Sequence, residues 1–210
     1  MNAHVVTRFA VAAFGAIVTG SMVNVSPAEA GRLKNFNLMG TPPETASAFD
    51  FTVDGITLTV SGISEKGSGE VRKTVHGLGV VDGIGPDNQI DLWGGLEKLL
   101  LNFDQEVTLV SATFGLVNAS GDDQFSLFVE DNLLVEGAYI PVDTNVFSFK
   151  DLEYEQKTAK SFGFTAYNIL PQGDDYTLKS ITVATVPEPT TVLGLMAVGA
   201  LASVGLKRKS

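Results

Sequence analysis

Phe49-Asp50-Phe51-Thr52-Val53-Asp54-Gly55-Ile56-Thr57-Leu58-Thr59-Val60 alternates apolar and polar residues on both sides of one Asp-Gly pair. A period of two places every second side chain on one face of an extended chain. Asp-Gly supplies the left-handed backbone that a tight reversal needs. The stretch reads as two short strands or one kinked strand. Working outward, Glu65–Gly69 reads as a loop and Val71, Lys73 and Val75 alternate after it. Gly77–Gly95, rich in glycine, Asp and Asn, reads as a long irregular connection. Leu99, Leu101 and Phe103 then line one face of a strand, and Asp104-Gln105-Glu106 reads as a turn into a long strand over Val107–Val117.

The same period continues to the end of this region. Phe125, Leu127 and Val129 alternate, Asp131-Asn132 reads as a tight turn, and Leu133-Leu134-Val135 returns. Val146–Lys150, Ser161–Asn168 and Tyr176–Val186 are further strands, while Glu153–Lys160 has room for one short helical turn. Eight to ten short strands punctuated by turn signals predict an all-β fold, an antiparallel jelly-roll-like β-sandwich. No repeat of blade length is present, which argues against a propeller. Phe is the commonest aromatic, with 13 in the chain, and most fall on the inward phase of these strands. They are read as core.

Residues 31–185 form the expected sandwich domain, which is long enough for one core. It holds 22 acidic and 10 basic residues, a net of −12. So acidic a domain repels nucleic acid, which is excluded as a partner, and attracts cations. The chain has no cysteine, so disulfides, thiolate metal sites and cysteine nucleophiles are absent together.

The flanks differ from this domain. Residues 1–30 have one firm positive charge at Arg8, an apolar stretch over Phe9–Val23, and Ala28-Glu29-Ala30 at the end. That is the pattern of a signal peptide cleaved at an A-x-A site, with Ala28 and Ala30 presented to signal peptidase and a mature chain starting at Gly31. At the other end, residues 190–206 carry no charge and are followed by Lys207-Arg208-Lys209. Seventeen residues at 1.5 Å each make a helix of about 26 Å, near the lower limit for crossing a bilayer. The three cations are costly to translocate and act as a cytoplasmic stop. A transmembrane helix holding the chain in the cytoplasmic membrane is the expectation, with the sandwich exported beyond it.

Val186-Pro187-Glu188-Pro189, placed directly before that apolar run and basic tail, resembles the PEP-CTERM sorting signal of bacterial surface proteins. The resemblance covers residues 186–210 and matches the signature tripeptide at Pro187, Glu188 and Pro189. It implies recognition and processing there by exosortase, a membrane-embedded cysteine transpeptidase, and delivery to the cell surface or beyond. A plain C-terminal anchor with a proline-rich hinge is the alternative. Gly77-Leu78-Gly79-Val80, Glu97–Phe103 and Tyr176–Val183 are similar to stretches in PEP-CTERM surface domains of unassigned role.

Within the domain, chemistry is sparse. Its single histidine, His76, lies beside Gly77, and no Gly-x-Ser-x-Gly elbow exists to supply a nucleophile. The expectation is a protein without catalytic residues that requires no cofactor. The loop Asp82–Asp91 gathers Asp82, Asp87, Asn88 and Asp91 on a glycine-rich backbone, the kind of hard-oxygen set that Ca²⁺ takes. Its spacing is not that of an EF-hand, and a solvated turn accounts for the same residues. Asp122-Asp123 and Asp174-Asp175 read as loop solubility. Trp93, the only tryptophan, stands among glycines where an indole can stack on a sugar ring or plug the end of the sandwich. Two readings follow. One is a non-enzymatic surface or extracellular-matrix protein; the other is a carbohydrate-binding module, calcium-dependent or not, directed to an extracellular polysaccharide by the same route.

Overall fold

The computed structural model describes residues 32–65, 69–81, 88–92, 95–167 and 174–186. The signal-peptide residues Ala28 and Ala30 lie outside these, as do Asp82, Asp87, Trp93, the motif Pro187-Glu188-Pro189, the helix expected over 190–206, and Lys207, Arg208 and Lys209. Among the described residues no helix is long and apolar enough to cross a membrane.

Twelve strands make up the described chain. They are β1 (Leu33–Asn37), β2 (Glu44–Ala46), β3 (Ala48–Val53), β4 (Ile56–Ser64), β5 (Glu70–Thr74), β6 (Gly77–Val81), β7 (Glu97–Gly115), β8 (Gln124–Val129), β9 (Asn132–Tyr139), β10 (Val146–Ser148), β11 (Thr158–Ala166) and β12 (Thr177–Thr185). Every pairing is antiparallel. The opening stretch of sequence behaves as its pattern dictates. Asp54 and Gly55 both take positive φ, 49° and 84°, and Val53 faces Ile56 across the turn. Two left-handed residues in a two-residue loop match the twist of the strands they join. The side chain of buried Lys34 on β1 pairs with Asp54 and holds this turn against its neighbour.

The long strand β7 organises the rest. Its first half lies between β4 and β11, with Leu101 opposite Val60 and Phe162. Its second half lies between β12 and β10, with Ala112 opposite Ile181 and Phe147. One hydrogen-bonded network therefore wraps into a sandwich-like all-β body around a shared strand. Aromatic rings fill the interior between the two parts. Phe36 of β1 meets Phe103 edge-on with centroids 5.4 Å apart. Phe114 of β7 lies 5.0 Å from Phe125 of β8 and 5.2 Å from Tyr176. Seven phenylalanines and Tyr176 are buried, and they account for much of the apolar area removed from water.

Four expectations need correction. Asp104-Gln105-Glu106 is no turn, because β7 runs through it. These three exposed residues pair with no strand and mark where the ladder changes partners. The buried phase resumes on odd positions at Val107 and Leu109 and slips to even ones (Ala112, Phe114) only across Val110-Ser111, where the register with β12 shifts. The connection after Gly77 opens with β6, which pairs with β5. The reversal between β8 and β9 falls on Glu130-Asp131, both at positive φ, one residue earlier than the sequence suggests. Residues 154–157 form turns without a helix, and Thr158–Lys160 already belong to β11.

Candidate functional site

The last strand leads directly to the sorting residues. β12 is held on one edge by β7 and on the other by β1 and β6. Its final residues Ala184 and Thr185 pair with Thr108 and Val107, and Ala184 also pairs with Leu33. Val186 is the last described residue before Pro187. At the far end of β12, Tyr176 exchanges hydrogen bonds with Ile90, the Ile90 N–H donating to the Tyr176 carbonyl at 2.7 Å. Nine strand residues at about 3.3 Å each put this end about 30 Å from Thr185, the last residue of β12.

That distal end gathers acidic groups that the sequence scatters. Asp123 is 1 % exposed and Asp174 is 4 % exposed, so neither is the solubilising loop residue expected of it. The Asp123 carboxylate accepts hydrogen bonds from the Asn118 main chain and side chain and from the Asp175 N–H. Burial nonetheless raises its pKa above the ordinary carboxylate value, and the Asp122 charge adds to the rise. Asp175 is pushed up to about 6, first by burial and then by the charges of Asp123 and Asp91, against a hydrogen bond from Gln89. Beneath them the Tyr176 hydroxyl is buried without a hydrogen-bond partner among the described residues, and burial with the Asp174 and Asp123 charges raises its pKa. Like charges brought into partial burial retain protons, because the neutral form avoids both desolvation and repulsion.

Of the proposed calcium ligands, Asp91 belongs to this acidic knot. It is 9 % exposed, and its N–H donates to the Glu97 carboxylate at 2.9 Å. Asn88 is half-buried at a turn beside Gly79. Among the described residues no three acidic or histidine side chains are disposed to hold a metal ion. His76 is exposed in the turn between β5 and β6, where its carbonyl accepts from the Thr177 hydroxyl.

Adjoining the knot is an open cleft of about 450 Å³. It lies over strands β8, β9 and β11, where half-buried Phe128 and the nearly fully buried Ser126 and Thr165 alternate with the core residues Phe125, Leu127 and Phe164; the Ser126 hydroxyl accepts from the Gly137 N–H, and the Thr165 hydroxyl donates to the Ala166 carbonyl. Glu65, Leu92, Glu136 and Tyr167 complete the lining used below. The Tyr167 ring lies against Gly137 of β9, whose φ is +58°; a methyl group there would sit 2.6 Å from the ring. Glycine thus lets the ring rest flat on the β9 backbone. None of these cleft residues other than Leu92 belongs to a motif that the sequence reading singled out. The available signal was the outward phase of Phe128.

The family model for the PEP-CTERM protein-sorting motif matches residues 185–209. No curated protein and no solved structure matches the chain.

Proposed function

We propose that this chain, which carries a PEP-CTERM sorting motif at residues 185–209, is a non-enzymatic surface or extracellular-matrix protein delivered through exosortase. The motif indicates an exported protein sorted at the membrane, and it is the single observation that carries the reading. The fold agrees with that role. A compact antiparallel body with an aromatic interior needs no disulfide, and its acidic knot stands about 30 Å along β12 from Thr185. In finer detail the body is read as a jelly-roll-like sandwich. Signal peptidase acts after Ala30, the helix over 190–206 holds the chain in the cytoplasmic membrane, and exosortase acts at Pro187-Glu188-Pro189. Intact mass of the product exported by an exosortase-bearing host tests this. The expected species starts at Gly31 and lacks the segment after Pro189. A product that keeps Lys207-Arg208-Lys209 would leave only a plain anchor.

A second reading, a carbohydrate-binding module on the same route to an extracellular polysaccharide, is favoured by the cleft. It combines the exposed Tyr167 ring, apolar side chains and the carboxylates of Glu65 and Glu136, the mixed lining that small-molecule sites use. Calcium dependence through Asp82, Asp87, Asn88 and Asp91 belongs to this reading, supported by the place of Asp91 beside Leu92 of the cleft. A glycan array with and without chelator tests both points. No binding in either condition removes the module.

A further inference from the structure

We propose that the cleft over β8, β9 and β11 takes an amine-bearing saccharide, a hexosamine oligomer, in preference to neutral or anionic glycans. The inference rests on the carbohydrate-binding reading and adds the class of sugar. Three observations carry it. Tyr167 is 44 % exposed, and one side of its ring is seated against Gly137, which leaves a preset surface for the apolar face of a sugar ring. Glu65, after β4, and Glu136, on β9, are the only charged groups lining the cleft among the described residues. Both are exposed, and among those residues neither side-chain carboxylate has a hydrogen-bond or ion-pair partner, although the Glu65 N–H donates to the Leu96 carbonyl at 3.2 Å.

A carboxylate without a protein partner accepts hydrogen bonds from sugar hydroxyls, and it binds an ammonium more strongly because the charge assists the bond. The third observation is the field around the cleft. The domain's net charge of −12 lowers the local concentration of uronate or phosphate polymers and raises that of cations. Among the described residues, Lys98 places its ammonium 4.0 Å from the ring centroid of the cleft residue Phe128 and is therefore occupied there. Its charge offsets one of the two glutamates, and the lining still has a net negative charge.

The test uses the full chain in a zwitterionic detergent without sugar groups. Calorimetry and Trp93 fluorescence follow titration with a β-linked glucosamine tetramer, its N-acetylated counterpart, a uronic-acid tetramer and tetralysine. The glucosamine tetramer should bind at least tenfold more tightly than the N-acetylated one, and the uronate should not bind. Tyr167→Ala should weaken the glucosamine tetramer at least tenfold, with Tyr167→Phe retaining binding. Glu136→Gln should erase the preference for the amine without abolishing binding of the N-acetylated tetramer, and thermal melts of each variant confirm folding. Equal binding of the amine and its N-acetylated form overturns the inference and leaves the carbohydrate module standing. Failure of every saccharide overturns both. Tetralysine binding as tightly as the glucosamine tetramer also overturns the inference and assigns the cleft to a basic peptide.

Discussion

Asp175→Asn should make the protein more stable at neutral pH and leave it unchanged in acid. The Asp175 carboxyl sits at about 6 instead of 3.8, through burial and the charges of Asp123 and Asp91. A folded-state pKa above the unfolded one means that the group's stabilisation is full below about pH 3.8. It is lost as pH rises through about 6. At roughly 1.4 kcal/mol per pH unit the displacement corresponds to about 3 kcal/mol. Asp175 is only half-buried, and solvent screening reduces this to about 1–2 kcal/mol. Asparagine keeps the carbonyl oxygen that accepts from Gln89 while removing the charge. At pH 7.5 the variant should therefore melt about 2–8 °C above the unaltered protein, given about 2–4 °C per kcal/mol for a domain of this size. At pH 4 the two should coincide. Asp54, whose pKa is lowered by its hydrogen bond and charge contact with Lys34, acts in the opposite sense. Its effect falls below pH 3.8, outside the window. Thermal melts followed by Trp93 fluorescence at pH 4, 5, 6 and 7.5 give the comparison. A variant that melts at or below the unaltered protein at pH 7.5, or an offset that persists at pH 4, would refute the electrostatic account. If a cation offsets the repulsion, chelator should lower the melting point of the unaltered protein at pH 7.5 and leave Asp175→Asn less affected.

Three further outcomes follow from the packing. Tyr176→Phe removes a buried hydroxyl without a partner among the described residues and should be neutral or stabilising by about 1 kcal/mol in urea denaturation; a loss above that would reveal a bonded hydroxyl. Phe125→Ala empties the centre of a ring cluster that includes Phe114, Phe147 and Phe164. It should cost about 3–5 kcal/mol by the same assay, and a change under about 1 kcal/mol would contradict the packing described. Gly55→Ala places a side chain at φ 84° in the β3–β4 turn and should cost about 1 kcal/mol. Glycine should be recovered there when a randomised position is selected for protease resistance.

Strand identity was legible because period-two alternation is local, and one face of most of these strands is buried or half-buried. The limits of legibility were equally physical. Asp104-Gln105-Glu106 interrupts the alternation as a turn would, and only the partner change along β7 makes it continuous strand. β1 and β2 are short, and they lie in a stretch where no alternation was read. The acidic knot shows how the phase argument was stopped too early. Asp123 stands two residues before Phe125 and Asp174 two before Tyr176, on the inward phase of β8 and β12. Extending each strand's phase by one step into its loop would have placed both carboxylates inside. Their meeting with Asp91 depends on pairing between distant segments, Ile90 with Tyr176, which no local pattern contains. The cleft was hidden for a related reason, since its lining comes from residues far apart in sequence.

The placement of β12 links folding to sorting. A sorting signal at the end of a flexible linker can be processed whatever the state of the domain. Here Ala184 and Thr185 are in ladder register with β7, and Ala184 is also in register with β1, so the motif begins beside a two-sided strand end. At no more than about 3.6 Å per residue, Pro189 lies within about 15 Å of Thr185. An enzyme acting at Pro187-Glu188-Pro189 must therefore approach the sheet closely or meet the chain before β12 is seated. Among the described strands β12 is also the last to be synthesised, and it pairs with β1, β6 and β7, which are all made earlier. The body cannot close until Thr177–Thr185, which run into the matched sorting motif, are in place. Arrival of the motif at the membrane and completion of the fold thus become successive parts of one event, and the short spacing between Thr185 and Pro187 is what joins them.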